Sequence, residues 1–261
     1  MYRGELERTL LLGADHGQFD RVHIHAQGNG RTVCGISAGA SLGQSNKTPR
    51  ETPNEDALLA IDEGPRTLLA VADAHFGCES SHELLGRLSE QMASLPREPS
   101  QLMDAVRATY DGYPSARYRS ESTLLVAVLD RECRTGFGLS FGDSSLVLLD
   151  RAGEFHRPQR KTGDYLSPCR PAGYDPGYPS DFHFTAEPGS LVLAFTDGID
   201  ECHYRHPKTS IRSRHIAELW TRSSADVERM TRSLIQLALA GVDGHPGGED
   251  NVAVVATSLG S

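Results

Sequence analysis

No run in this 261-residue chain is apolar for long enough to cross a bilayer, and its first residues lack the basic-then-apolar order of a signal peptide. Cysteine is scarce and scattered. Cys34, Cys78, Cys133, Cys169 and Cys202 are odd in number and form no Cys-x-x-Cys pair, which argues against a disulfide framework or structural zinc and fits a reducing compartment. Positive charge is also short: 26 Lys and Arg stand against 35 Asp and Glu, a formal charge of −9. A nucleic-acid binder needs a basic face, so neither nucleic acid nor a membrane is expected as a partner. The surplus of carboxylates agrees with cation binding, as it does with plain solubility. Internal repeats and low-complexity tracts are missing too. What remains, with 38% hydrophobic and 23% charged residues, is a globular chain expected in the cytoplasm, long enough for one large domain or two small ones.

Residues 1–30 are mixed in character and end in a Gln27-Gly28-Asn29-Gly30 turn signal; Val22–Ala26 alternates like an exposed strand, so an N-terminal extension with an edge hairpin is expected there. Residues 31–261 then read as the main domain. Strands are expected at Val33–Leu42, Ala57–Ile61, Thr67–Ala72, Thr123–Leu129, Gly136–Ser140, Ser145–Leu149, Ser190–Phe195 and Val252–Ala256. Two helices fall between the third and fourth of these. One carries the stripe Leu84, Leu85, Leu88, Met92; the other is capped by Ser100 and carries Leu102, Met103, Val106 and Tyr110. Two more lie near the end, the first through Ile211, His215, Ile216 and Leu219. In the second, Ser223 and Asp226 read as a capping box before Val227, Met230, Leu234 and Leu237, with Gly241 closing the helix. Short turns between strands imply antiparallel sheets with helices packed outside. The stretch from Arg151 to Gly189, rich in Pro, Gly and Arg, reads as a long surface loop with at most a short strand or two.

Acidic residues recur where the apolar runs stop: Asn54-Glu55-Asp56, Asp73-Ala74-His75-Phe76-Gly77, Gly142-Asp143-Ser144, Thr196-Asp197-Gly198 and Glu249-Asp250-Asn251. Strand ends on a rigid sheet can hold several carboxylates at one point, and such a cluster is tolerable only around cations. Oxygen donors suit magnesium or manganese rather than zinc. The pattern suggests a two-metal hydrolase. Taken singly, each Asp-Gly or Gly-Asp pair is ordinary turn chemistry, Asp73 could cap a helix, and His75 could be a packed or surface histidine. Val22-His23-Ile24-His25 could chelate through its two histidines, but with no third ligand an edge strand is the better reading.

In their order the five motifs resemble the bacterial metal-dependent protein serine/threonine phosphatases of the type-2C class, over roughly residues 31–257. The resemblance implies an α+β fold, a sandwich of two antiparallel sheets flanked by helix pairs. It implies hydrolysis of phosphoserine or phosphothreonine in proteins, two Mn²⁺ or Mg²⁺ ions with a weaker third, and a cognate serine/threonine kinase as counterpart. Carried over by position, Asp73 bridges the two ions and the Ala74 carbonyl is a further ligand. Asp197 and Asp250 are the other carboxylate ligands, Glu55 and Asp56 act through water, Asp143 could help hold a third ion, and His75 is the general acid for the leaving alkoxide. Two cations can share a water, lower its pKa and set it in line with phosphorus. A serine alkoxide is a poor leaving group, so a proton donor such as histidine assists it. The chain has no cysteine in a phosphate-cradling loop, which argues against a cysteine nucleophile. It departs from the pattern at Glu51, where such proteins carry a phosphate-gripping arginine, leaving the adjacent Arg50 as the candidate. It departs also at Ala74, Phe76 and Glu121. Two other readings stand beside the first: a non-catalytic regulatory module on this fold, and a phosphatase of small metabolites.

Overall fold

Burial on both faces of the central strands decides the architecture. Strand β4 (Asp56–Asp62) is buried along its whole length, and β5 (Arg66–His75) along all but its ends. Successive side chains point to opposite faces of a sheet. Leu58, Ala60, Leu69 and Val71 therefore enter one apolar core, while Ala57, Leu59, Ile61, Leu68, Ala70 and Ala72 enter another. Such strands must lie inside a layered stack.

The computed structural model, which describes residues 6–28, 30–44, 52–111, 120–166 and 179–260, shows that stack. It is an α+β sandwich of two antiparallel sheets with a helix pair on each outer face. The first sheet runs β1 (Glu7–Leu12), β4, β5, β7 (Leu124–Asp130), β8 (Thr135–Phe141), β11 (Ser180–Thr185), and the two-residue β6 (Glu121–Ser122) pairs with the end of β5. The second runs β10 (Phe155–His156), β9 (Ser145–Leu149), β12 (Leu191–Phe195), β13 (Val252–Ser258), β3 (Thr32–Ser37), β2 (His23–Ala26). Helices α2 (Glu79–Gln91) and α3 (Pro99–Asp111) bury Leu84, Leu85, Leu88, Leu102 and Val106 against the first sheet. Helices α4 (Ser213–Ser223) and α5 (Val227–Ala240) bury Ile216, Trp220, Met230 and Leu234 against the second. A single turn, α1 (Ser41–Gln44), follows β3. No helix among the described residues is long and apolar enough to cross a membrane.

The structure refines several expectations. The N-terminal segment contributes to both sheets: β2 forms an antiparallel hairpin with β3 at the edge of the second, while β1 pairs with β4 at the edge of the first. The reason is apolar, since Leu10 and Leu12 pack on the α2/α3 core and Leu11 on the core between the sheets. The strand expected over Val33–Leu42 stops at Ser37, and Ser41 already opens a helical turn. Ser223 is the last residue of α4; Asp226 alone caps α5, accepting from the Arg229 amide at 2.9 Å. The stretch 151–189 holds two strands, as its sequence allowed: the two-residue β10 and the six-residue β11, whose Phe182 and Phe184 face Gly138 and Gly136 on β8. A side chain at Gly136 would collide with the Phe184 ring, so the glycine and the aromatic are one packing unit.

At one end of the sandwich the sheets are fastened by Arg131. Its guanidinium lies 2.8 Å from Asp62 on the first sheet and donates at 3.0 Å to Thr32 Oγ1 and Thr257 Oγ1 on the second. Both charges are almost fully buried, at 7% and 4% exposed. Breaking a buried pair leaves an uncompensated charge. Arg131→Ala is therefore expected to lower the unfolding free energy by about 3–5 kcal/mol in urea titrations. Arg131→Ala with Asp62→Ala together should cost less than Arg131→Ala alone.

Candidate active site

At the opposite end of the sandwich the acidic motifs meet. Register places Asp56 on β4 directly across from Asp73 on β5, and both are buried, at 1% and 7% exposed. Facing carboxylates on neighbouring strands repel, more so away from water. Neutral hydrogen bonds hold the backbone that carries them. Thr196 Oγ1 donates to Asp56 Oδ2 at 2.7 Å and accepts from the Ala253 amide at 2.9 Å, so the first sheet is tied to β12 and β13 of the second. Thr123 Oγ1 accepts from the Asp73 amide at 3.0 Å and meets Ser144 Oγ at 2.9 Å, next to Asp143.

Asp197 and Asp250 come from loops that press together. A side-chain carbon at Gly198 would stand 1.8 Å from the Asn251 carbonyl oxygen, so only glycine allows this approach. Asn251 is a latch: its Nδ2 donates to the carbonyls of Ala38 and Pro53, both at 2.9 Å, and its Oδ1 accepts from the Glu55 amide at 3.0 Å. Its own amide donates to Asp250 Oδ1 at 2.8 Å. Glu55 faces the next loop, where its Oε1 accepts from the Gly77 amide at 2.8 Å.

Asp143 follows Gly142, whose φ of +86° turns the chain between β8 and β9. Its Oδ1 is shielded from solvent and meets no hydrogen-bond donor. A buried carboxylate oxygen without a donor is costly, and a bound cation is a natural remedy. Two neighbours register the surrounding charge. The Tyr165 phenol is pushed up to about 12, by burial first and then by Asp143, Asp197, Asp73 and Glu121. Glu201 is raised by burial first, with Asp143, Asp250 and Asp200 adding to it and Lys161 opposing. Asp73, Asp143, Asp197 and Asp250, from four distant segments, thus act on one region. As they stand, no three His, Cys, Asp or Glu side chains among the described residues form a ready coordination group. The donor set is all oxygen, which fits Mg²⁺ or Mn²⁺.

His75 closes β5 with its Nε2 4.0 Å from Asp73 Oδ2. The positive backbone angles of this loop fall on Phe76 (φ +64°) and Gly77 (φ +115°), not on Ala74, so an alanine there carries no strain. Phe76 is left 69% exposed. Arg50 and Glu51 lie outside the described residues. Glu201, Lys161 and Tyr165 are missed by sequence reading and give no local signal. Thr196, inside one of the acidic motifs, and Thr123, at the start of an expected strand, do carry one, as buried hydroxyls at strand ends.

Three comparisons bear on this arrangement. No curated protein sequence matches the chain. The family model described as stage II sporulation protein E (SpoIIE) matches residues 67–259, from β5 to β13. Among solved structures, the Mycobacterium tuberculosis serine/threonine phosphatase PstP/Ppp superposes with a TM-score of 0.64 at 20% identity, over 92% of this chain and 99% of that one. A serine/threonine phosphatase from S. agalactiae gives 0.64 at 16% identity, over 90% and 98%. RsbX in complex with magnesium gives 0.58 at 16% identity, over 92% and 100%. The acids at one end of the sandwich, its topology and the matched model agree: the chain belongs to the SpoIIE family, on the fold of the bacterial type-2C serine/threonine phosphatases.

Proposed function

We propose that the protein is a Mn²⁺- or Mg²⁺-dependent phosphatase that hydrolyses phosphoserine or phosphothreonine in proteins, in the cytoplasm and opposite a serine/threonine kinase. The observation that carries this reading is the meeting of the acidic motifs at one end of the sandwich: Asp56 faces Asp73, Thr196 beside Asp197 donates to Asp56, and Asn251 beside Asp250 accepts from the Glu55 amide. It is supported by relatives on the same fold, one solved as PstP with 2 manganese ions and one as RsbX with magnesium.

Asp73, Asp197, Asp250 and the Ala74 carbonyl would hold two cations, Glu55 and Asp56 would order water around them, and Asp143 would serve a weaker third. When bound, such cations lower the pKa of a water toward neutrality and offset charge on the phosphoryl oxygens. Everything else is done by the chain. Burial of the acids at strand ends fixes their positions before substrate arrives. His75, beside Asp73 and 40% exposed, would give a proton to the leaving alkoxide. Arg50 is assigned the substrate phosphate on the strength of its place in the sequence. The departures from the family pattern at Glu51, Ala74 and the exposed Phe76 motivate a second reading, a regulatory module that does not turn over.

Asp73→Asn or Asp250→Asn should lower kcat on a phosphoserine peptide at least ~100-fold, the scale of losing one preorganised charge. Release of phosphate from that peptide, but not from sugar phosphates or nucleotides, would select a protein substrate. Turnover at wild-type rates in either variant would refute the assignment. Mn²⁺ should also raise the melting temperature of the wild type, by about 2.7 kcal/mol of stability at 100 times its Kd, and leave Asp73→Asn unmoved. Without metal, Asp73→Asn should be the more stable protein by roughly 0.2–1 kcal/mol, because it removes a facing like charge. Mn²⁺ stabilisation without any phosphate release would establish the regulatory module instead.

A further inference from the structure

The segment over residues 157–166 joins the acidic motifs, and sequence reading gave it no role. Thr162 and Gly142 exchange two hydrogen bonds, Thr162 N to Gly142 O and Gly142 N to Thr162 Oγ1, each 2.8 Å, which fix the segment to the Asp143 turn. Arg157 and Lys161 reach Asp200, just past Asp197, at 2.9 and 3.6 Å. Leu166 and Ser122 exchange backbone hydrogen bonds of 2.8 and 2.9 Å, and Ser122 in turn pairs with Ala74 at the end of β5. Anchored on these three sides, the segment sets Tyr165 against His75, with ring centroids 5.2 Å apart and planes at 70°. This is an edge-to-face pair, the arrangement that aromatic quadrupoles favour. The Phe76 ring stands 6.4 Å from that of His75, at 61°.

His75 is 40% exposed at its strand end, and the Tyr165 ring packs against the imidazole, favouring the χ1 and χ2 rotamer in which the two rings meet. The phenol is well suited to the place, since it brings a hydroxyl but no charge into a region already crowded with carboxylates. We propose that Tyr165 is a positioning residue, which holds the His75 ring by edge-to-face packing in the orientation that meets the leaving oxygen of a phosphorylated side chain. This rests on the phosphatase reading above and adds a requirement to it: Tyr165 should matter in proportion to how much the leaving group needs a proton. The serine oxygen must leave as an alcohol and needs one; p-nitrophenolate leaves unaided.

The test compares wild type, Tyr165→Ala and Tyr165→Phe, with Mn²⁺, on a phosphoserine peptide and on p-nitrophenyl phosphate. The expected result is a fall of about tenfold or more in the ratio of the two kcat values for Tyr165→Ala, inside the ~10²–10⁴ that a well-placed proton donor supplies. Tyr165→Phe, which keeps the ring, should keep the ratio. The imidazole proton resonances of His75 should shift in Tyr165→Ala and stay in place in Tyr165→Phe. Equal losses on both esters would reduce Tyr165 to a merely structural role and overturn the proposal, as would an unchanged ratio or unmoved His75 resonances. A loss in Tyr165→Phe matching that in Tyr165→Ala would assign the effect to the hydroxyl and overturn the packing role. A wild type inactive on both esters would remove the phosphatase reading and this proposal with it; an active wild type with an unchanged ratio removes this proposal alone.

Discussion

Two buried carboxylates facing each other across neighbouring strands are the constraint around which this structure is built. The Asp56 and Asp73 register is set by the apolar residues behind it, because a slip of one position would turn every core side chain of β4 and β5 to the wrong face. The repulsion is thereby imposed by the core of the whole domain, and the local structure cannot relax it. The burden of holding the acids falls on neutral groups: the Thr196 hydroxyl on Asp56, the Thr123 hydroxyl on the Asp73 amide, and the Asn251 amide on three backbone sites. None of these adds charge.

The two ends of the sandwich use opposite chemistry for the same mechanical task. Around Arg131 a cation and an anion are paired in the interior with threonine hydroxyls, and the two charges balance. Around Asp73 the described partners include the facing Asp56, His75 and the hydroxyls of Thr123 and Ser122, an oxygen-rich setting that a bound cation would complement. A protein that fastens its sheets with a buried ion pair at one end can gather carboxylates at the other. Stability and the site are separated by the length of a strand.

Most of the layered fold was legible because strands buried on both faces must be apolar throughout, and runs such as Leu68–Ala72 and Leu191–Phe195 say so without help from the rest of the chain. The acids were legible because they interrupt those runs. What could not be read depended on partners far away in sequence. The leucines of β1 become a sheet edge only when β4 stands beside them. The Phe182 and Phe184 alternation of β11 is present in the sequence but is surrounded by proline and glycine, and its meaning lies in the glycines of β8. Tyr165 gives no local sign at all. Its significance arises from Ser122, Gly142 and Asp200, which bring it to His75 from three directions. In the same way, Gly198 looks like a turn residue, yet what demands it is the carbonyl of Asn251.

The latch at Asn251 has an evolutionary corollary. Its side chain secures Ala38, Pro53 and Glu55, so it serves folding whether or not any phosphate is ever cleaved. A descendant released from selection for chemistry could let its aspartates drift, and would even relax by doing so, but it would still need that asparagine and the glycine pressed against it. Retention of Asn251 and Gly198 without Asp73 and Asp250 would therefore mark a lineage in which the scaffold outlived the reaction.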